Sequence, residues 1–126
     1  MTKYTGRVSV NVIQYEDRFL IAKRSKDNLW EFIGGKEEVS DSSIKDTAVR
    51  ESKEEFSIEP EPLDTGEPYQ SRRDSKWTLV PVYMRADSLK VDMKDEHLDY
   101  EWIKLEEFEK YETKGQKTAL ENLNLL

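Results

Sequence analysis

A compact group of charged residues, Arg50, Glu51, Glu54 and Glu55, lies near the middle of the sequence. If this segment is helical, residues three and four apart share a face, so the three glutamates would converge. Carboxylates held that close repel one another unless a cation neutralises them. Carboxylate oxygens, together with substrate phosphates, are the ligands that Mg²⁺ commonly takes. The spacing therefore predicts a divalent-metal site, and the alternative is an ordinary solvated helix face.

Arg50 has two candidate roles in this group. It could pair with Glu54 one helical turn later, or bond a ligand glutamate and fix its orientation. Upstream, Gly34 and Gly35 read as a turn at a strand end, where paired glycines allow conformations that other residues resist. Backbone carbonyls of this turn would complete a ligand shell. A solvated helix needs no glycine pair at its entry, so the pair favours the metal site.

Hydrophobic periodicity predicts the elements that position these residues. Period-2 alternation and short apolar runs indicate strands over 8–12, 19–22, 29–32, 77–84 and 98–102, the first two forming a hairpin. Helical patterns cover 43–57, 105–111 and 118–125, and 63–75 reads as strand ends and a mobile loop. Pro81 suggests that its strand is an edge strand or carries a bulge. The order predicts an α/β fold in one domain, 1–126, with one mixed β-sheet packed by helices.

The 43–57 segment is the strongest helical prediction. Its N-cap candidates are Asp41, Ser42 and Ser43, and Pro60 and Pro62 are expected to end it. An apolar arc faces the core and comprises Ile44, Ala48, Val49, Ser52 and Phe56. The helix would thus present its acids along a cleft edge, with Glu54 furthest from the core.

Composition excludes several kinds of site. The chain has no cysteine, which excludes disulfides, thiolate metal sites and cysteine nucleophiles, and His97 is its single histidine. The net charge of -7 disfavours long nucleic acid, but a bound divalent cation would let the protein handle a small anionic substrate. The N-terminus lacks the apolar run of a signal peptide, and no stretch has membrane-spanning length, so we expect a cytoplasmic protein.

The segment WEFIGGK followed by AVRESKEEFSI resembles the Nudix box, G-x5-E-x7-R-E-U-x-E-E-x-G-U with U aliphatic. Flanking segments are also similar to the family: 22–24, 96–102 and 119–121. The match departs from the pattern in four ways. The spacing from Gly35 to Arg50 is one residue longer, and either Asp41 or Ser42 takes the place of the first glutamate. Two serines replace an aliphatic residue and a glycine: Ser52 and Ser57.

This resemblance implies a Nudix-type α/β/α sandwich with a mixed β-sheet flanked by helices. It implies Mg²⁺ or Mn²⁺ bound by Glu51, Glu54, Glu55 and the Gly34 carbonyl. Arg50 would orient a glutamate, and the catalytic candidates are Glu54, Glu96 and Arg50. Glu96 matches a loop acid that binds metal or acts as general base in part of the family, the alternative being a solvated charge near Asp95 and Glu101.

Outside the box, Arg24 and Lys36 are candidate substrate-binding residues. For Arg24 the alternative is a surface salt bridge, and for Lys36 it is support of the loop. His97 is expected to be a loop residue and not a catalyst. Core packing is expected of Trp30 and Trp102.

Trp77 is a further aromatic residue whose role stays open, between stacking on a nucleobase and structural packing. It is flanked by Arg72, Arg73 and Lys76. This basic cluster could receive a phosphate, meet a second subunit of a homodimer, or be a solvated loop.

The function implied is hydrolysis of a diphosphate linkage in a nucleoside diphosphate joined to another group, such as a nucleoside triphosphate or ADP-ribose. The small size slightly favours the compact, MutT-like members of the family, which act on nucleoside triphosphates. One alternative is a catalytically weakened Nudix-fold module that senses a nucleotide or partner. The other is a structural interaction domain with an incidental acidic helix.

Overall fold

The computed structural model describes residues 3–72, 74–94, 96–111, 113 and 116–126. Its strands are β1 (Tyr4–Tyr15), β2 (Arg18–Arg24), β3 (Trp30–Glu31), β4 (Gly34–Glu38), β5 (Glu61–Thr65), β6 (Tyr69–Gln70), β7 (Thr78–Arg85) and β8 (His97–Ile103). The helical segments are α1 (Ile44–Phe56), a 3₁₀ helix (Leu105–Lys110) and α2 (Gln116–Asn122). Within these residues, no helix combines the length and the apolar character needed to span a bilayer.

All of these strands belong to one mixed sheet, as predicted. The central order is β3-β2-β1-β7-β5, and β4 pairs with β1, β6 with β7 and β8 with β2. β1 and β7 run parallel, whereas the other pairs are antiparallel. The predicted hairpin of β1 and β2 is present, with Tyr15 opposite Arg18.

The strand β1 changes partner along its length, pairing with two different strands on the same side. Its C-terminal part pairs with β2, whereas its earlier part pairs with β4, where Val8 lies opposite Lys36 and Val10 opposite Gly34. The glycine pair therefore begins a strand, and the prediction of a turn there is wrong. A Cβ on Gly34 would lie 1.9 Å from the backbone oxygen of Ser9, so only glycine lets β4 approach β1 this closely.

The sheet separates two hydrophobic cores. One core packs α1 through Ile44, Ala48 and Phe56 against one face. The other packs the 3₁₀ helix and α2 through Phe108 and Leu120 against the opposite face. Helices on both faces of a mixed sheet make the α/β/α sandwich that the sequence predicted.

Helix α1 matches its prediction closely. Ser43 is the N-cap, and its side chain accepts a hydrogen bond from the Asp46 backbone nitrogen at 3.2 Å. The end is set by Ser57, whose left-handed conformation (φ 57°, ψ 36°) closes the helix before Pro60, so the prediction that prolines end it is wrong. Ser52 is fully buried and its hydroxyl accepts from the Asn11 side-chain amide at 2.9 Å.

Of the two alternatives predicted for Pro81, the edge strand is wrong, whereas an irregularity in the pairing is present: between Thr65–Val82 and Tyr69–Leu79 the register of the strands facing β7 shifts by one residue. Pro81 lies in β7, inside the sheet, directly opposite Val10 of the parallel neighbour β1. On the other side of β7, Thr65 of β5 lies opposite Val82 and Tyr69 of β6 lies opposite Leu79. Pro81 therefore faces the gap between β5 and β6, where the missing N–H removes no ladder bond to a strand residue.

Candidate functional site

Asp41 is the main partner of Arg50. Its two carboxylate oxygens accept from Arg50 Nε at 3.1 Å and Nη2 at 2.9 Å, and Thr47 Oγ1 donates to the same carboxylate at 2.8 Å. These bonds hold the pKa of Asp41 down, at about 2. Of the two candidates for the first glutamate of the box, Asp41 is thus the residue that engages Arg50.

Arg50 also reaches the acids of α1. Its Nη1 lies 3.0 Å from a Glu51 oxygen and 3.5 Å from Glu54, and Nη2 donates to the Lys36 carbonyl at 3.2 Å. The hydrogen bonds that Arg50 donates to Asp41 raise the pKa of Arg50 above its usual range. Two roles were expected for Arg50, pairing with Glu54 and orienting a ligand glutamate. The contact with Glu51 is the shorter of the two, so it favours the orienting role.

The Glu51 side chain packs against the start of β4, at Gly35. A Cβ on Gly35 would lie 2.1 Å from the Glu51 carboxyl carbon, so the glycine leaves the space that this side chain occupies. Burial raises the pKa of Glu51, although Arg50 opposes the shift. The glycine pair therefore serves two contacts, one with β1 and one with the helix.

Glu55 is the most perturbed acid of the site. It is 9% exposed, and burial raises its pKa to about 9, reinforced by the hydrogen bond that its protonated form donates to Glu96 and by the charges of Glu51 and Glu31. Among the described residues its Oε2 has no hydrogen-bond partner. Without a cation, a carboxyl group with this pKa is protonated near pH 7, and a cation at its free oxygen would stabilise the ionised form.

Glu54 differs from the other two acids of α1. Its side chain is 58% exposed and touches Arg50 only at 3.5 Å. In the described part of the chain, no three carboxylate or histidine side chains are already gathered as a ligand set for a metal ion. The donor chemistry of Glu51 and Glu55 fits a hard divalent cation, and Glu54 would have to turn inwards to join them.

Next to this acidic group lies a cleft of about 660 Å³, where β1, β4 and the start of β8 meet. The four predicted residues Gly34, Glu96, Arg24 and Lys36 line it, together with Glu55. Glu51 and Glu54 do not line it. Part of the lining is apolar or aromatic: Val8, Val10, Phe32, Tyr69, Trp77 and Leu79.

One acid of the cleft, Glu31, was missed by the sequence interpretation. Its carboxylate lies 2.9 Å from His97 Nε2 and 3.6 Å from Arg24 Nη1, and all three side chains line the cleft. His97 opens β8, is 8% exposed and packs on Phe56, so the prediction of a loop residue is wrong. The available signal was a charged residue inside a strand pattern just before the glycine pair.

The three tryptophans lie in two different environments: two pack against the hydrophobic cores and one lies at the cleft. Trp30 packs edge-on against Tyr111, and the Trp102 indole donates to the Leu89 carbonyl at 3.0 Å. Both are half-buried and pack against the cores, as expected. Trp77 lies at the cleft beside Lys36, with Arg72 also in the lining. Two residues named in the sequence interpretation lie outside the described residues: Arg73 and Asp95.

A strand, a glycine pair, a loop and an acidic helix thus meet at one cleft, and a family model described as the NUDIX domain matches residues 5–123. The chain belongs to the Nudix family. A comparison with curated protein sequences gives no significant match.

Solved structures agree with this Nudix fold. The E. coli ORF135 protein is 26% identical, with coverage of 94% of this chain and 87% of that one and a TM-score of 0.73. An ADP-ribose pyrophosphatase from Streptococcus suis is 25% identical, with 98% and 89% coverage and a TM-score of 0.74. A NUDIX-family hydrolase from Clostridium perfringens is 15% identical, covers 99% of both chains at a TM-score of 0.77, and supports the fold alone.

Proposed function

We propose that residues 1–126 act as one Nudix domain that hydrolyses the diphosphate linkage of a nucleoside diphosphate joined to another group. The observation that carries the proposal is the buried Glu55 beside Glu96 at the cleft, whose Oε2 has no hydrogen-bond partner among the described residues. Family membership and the likeness to a protein described as an ADP-ribose pyrophosphatase support the same class of reaction. The expected products are a nucleoside monophosphate and a phosphorylated remainder, or pyrophosphate from a triphosphate.

The residues that would hold Mg²⁺ or Mn²⁺ are Glu51, Glu54, Glu55 and the Gly34 carbonyl. A divalent ion bound there supplies charge neutralisation for the phosphates and a lowered pKa for an attacking water. Arg50 keeps Glu51 directed at this region, and Asp41 keeps Arg50 in place. These contacts hold Glu51 in place before substrate arrives, whereas Glu54 would have to turn inwards when the metal binds.

The other cleft residues are assigned to proton transfer, phosphate binding and nucleobase binding. Glu96 accepts the proton of the attacking water at a carboxylate oxygen, as general base. Arg24 and Lys36 bind phosphate oxygens, and Glu31 fixes the direction of Arg24 through their 3.6 Å contact. The apolar part of the lining, near Phe32 and Leu79, takes the nucleobase and excludes water.

The test is turnover by the purified protein with Mg²⁺ or Mn²⁺ against nucleoside triphosphates, ADP-ribose and dinucleoside polyphosphates. Products are separated by chromatography, so that the broken bond is identified. Glu54→Gln is expected to lower kcat by at least 100-fold, on the order of the effect of losing one electrostatic catalytic group. Glu59→Gln is the matched control, because Glu59 lies beyond the end of α1, is exposed and pairs only with the exposed Lys53 among the described residues. Equal products from wild type and Glu54→Gln, or none from wild type, would contradict the proposal.

A second candidate function is nucleotide sensing by a catalytically weakened Nudix fold. The outward position of Glu54 and the longer loop before α1 favour it. The NUDIX domain of Shewanella oneidensis NrtR, described in complex with ADP ribose, is 21% identical and supports only the shared fold. Calorimetry would measure whether a nucleotide binds in the presence of metal, and chromatography after long incubation would show whether it stays intact. Binding without cleavage would support sensing and contradict hydrolysis.

A further inference from the structure

Lys36 lies against two aromatic rings at the edge of the cleft. Its Nζ is 4.7 Å from the centre of the Trp77 ring and 5.4 Å from that of Tyr4. The two rings touch each other edge-on, with centroids 6.1 Å apart. An ammonium within about 6 Å of a ring centre is attracted by its negative face. The Lys36 side chain, although exposed, thus has two contacts that restrict where its charge can lie.

The sheet brings the three residues together from distant parts of the sequence. Side chains alternate along a strand, so Lys36 leaves β4 on the face opposite to the contact of Gly35 with α1. Tyr4 begins β1, opposite Glu38 of β4. Trp77 immediately precedes β7, which runs parallel to β1 on its other side. This arrangement depends on tertiary pairing and has no counterpart in local sequence.

The charge of Lys36 differs from those of the neighbouring lysines. Lys76 also approaches the Trp77 ring, at 5.6 Å, but its Nζ pairs with Asp74 at 3.6 Å. Lys3 approaches Tyr4 and pairs with Glu38 at 4.0 Å. Within the described residues, no salt bridge joins Lys36 to a carboxylate. Lys36 is also the one of these three lysines that lines the cleft, so its charge stays available to an anion there.

We propose that Trp77 and Tyr4 are positioning residues that hold the Lys36 ammonium at the cleft, where it binds a phosphate oxygen of the substrate. Trp77 therefore acts through Lys36 and is not the platform on which the nucleobase stacks. The inference rests on the proposed function, because it assigns a phosphate contact within the same cleft. A side chain with fewer accessible rotamers loses less entropy on binding, so the effect belongs to substrate affinity.

The first test compares kinetic constants of ring variants. An exposed cation–π contact is worth about 0.5–1 kcal/mol, so Trp77→Leu is expected to raise KM roughly twofold to fivefold with kcat nearly unchanged. Trp77→Phe, which keeps a ring, should recover part of the affinity. Lys76→Met is the matched control and should behave as wild type, because Lys76 contacts the same ring but does not line the cleft.

A double-mutant cycle separates positioning from general damage to the fold. Lys36→Met should raise KM more than Trp77→Leu does, and adding Trp77→Leu to it should change KM no further. Independent, multiplying effects of the two substitutions would overturn the proposal. So would an equal rise in KM for Trp77→Leu and Trp77→Phe.

The second test needs no turnover, so it separates this inference from the proposed function. In wild-type protein, ring currents should shift the NMR signals of the Lys36 ε-methylene group away from those of other lysines. Trp77→Leu should remove the shift, and titration of wild type with imidodiphosphate and Mg²⁺ should move the Lys36 signal. A Lys36 signal that does not respond overturns the inference even if hydrolysis occurs. A protein that responds without hydrolysing any substrate supports the inference and contradicts the proposed reaction.

Discussion

The contact between Asp41 and Arg50 gives the sharpest stability prediction. Asp41→Asn keeps the size of the side chain but replaces one oxygen by an NH₂ group. Both oxygens of Asp41 accept from Arg50, and Oδ2 also accepts from Thr47 and from the Glu38 backbone nitrogen at 2.9 Å. Whichever way the amide is turned, a donor then faces a donor of Arg50. The substitution should destabilise the loop that precedes α1.

The magnitude follows from the pKa of Asp41. The side chain is only 9% exposed, and its pKa is lowered from 3.8 to about 2, first by the hydrogen bond from Arg50. One pKa unit corresponds to about 1.4 kcal/mol, so the charged form contributes about 2 kcal/mol to the free energy of unfolding. For a domain of this length we expect the Tm of Asp41→Asn to fall by roughly 6–10 °C at pH 7.

The sign of the pH dependence follows from the lowered pKa. A carboxyl group with a depressed folded-state pKa contributes fully above its unfolded-state value, and the contribution is lost as the pH falls towards about 2. About half of the stability difference between wild type and Asp41→Asn should therefore remain at pH 3, and little below pH 2.

The assay is urea unfolding of wild type and Asp41→Asn between pH 3 and 7. Asp46→Asn is the control, because Asp46 is an exposed acid in the first turn of the same helix. It should change stability by no more than about 0.5 kcal/mol. If Asp41→Asn is as stable as wild type at pH 7, or if its deficit does not shrink in acid, the role assigned to Asp41 is wrong.

Three further substitutions test the fold around the site. Ser57→Gly should stabilise the protein by about 0.5–1 kcal/mol in thermal unfolding, because Ser57 holds a left-handed conformation that glycine adopts without strain. Arg7→Met should cost about 2 kcal/mol in urea unfolding, since Glu37, whose side chain is 4% exposed, would lose contacts of 2.7 and 2.8 Å and stay buried. Gly35→Ala should lower kcat by at least tenfold with the fold retained by circular dichroism, because the new Cβ would displace the Glu51 carboxyl group.

Each of the three has a control. Ser57→Ala should not stabilise, because alanine is strained in the same conformation. Arg7→Lys should retain part of the stability by keeping the charge. Gly66→Ala is the control for Gly35→Ala, since its new Cβ would also be crowded, at 2.8 Å from the Asn122 carbonyl oxygen, but Gly66 lies away from the cleft lining. A stabilising Ser57→Ala, a neutral Arg7→Met, or equal loss of kcat from both glycine variants would refute the respective argument.

Local sequence was sufficient for much of the fold. Helix α1 was predictable because its capping serine, its apolar period and its acids all act within a few residues of one another. The alternation of apolar and polar residues was sufficient to predict β1 and β8 as strands. It did not predict that Ser9 and Asn11, the polar residues of the pattern in β1, are buried as well. The Nudix assignment rested on the same local feature, a helix whose acids recur at a fixed spacing.

The orientation of the acids was not readable in the same way. Spacing predicted that Glu51, Glu54 and Glu55 converge, yet the structure buries Glu55, ties Glu51 to Arg50 and leaves Glu54 exposed. Helical geometry sets only the angle at which each side chain leaves the axis. Which side chain turns inwards depends on what packs beside the helix.

The sequence by itself determined that a helix carries three acids behind a glycine pair and that one mixed sheet supports it. Only the tertiary structure decided that the glycines begin β4, that Asp41 engages Arg50, and that Glu31 meets His97. The physical reason is the range of the forces involved. Caps and periodicity act between near neighbours in the chain, whereas these contacts form only when the sheet has paired and α1 has packed against it: β2, for example, pairs with the strands that carry Glu31 and His97.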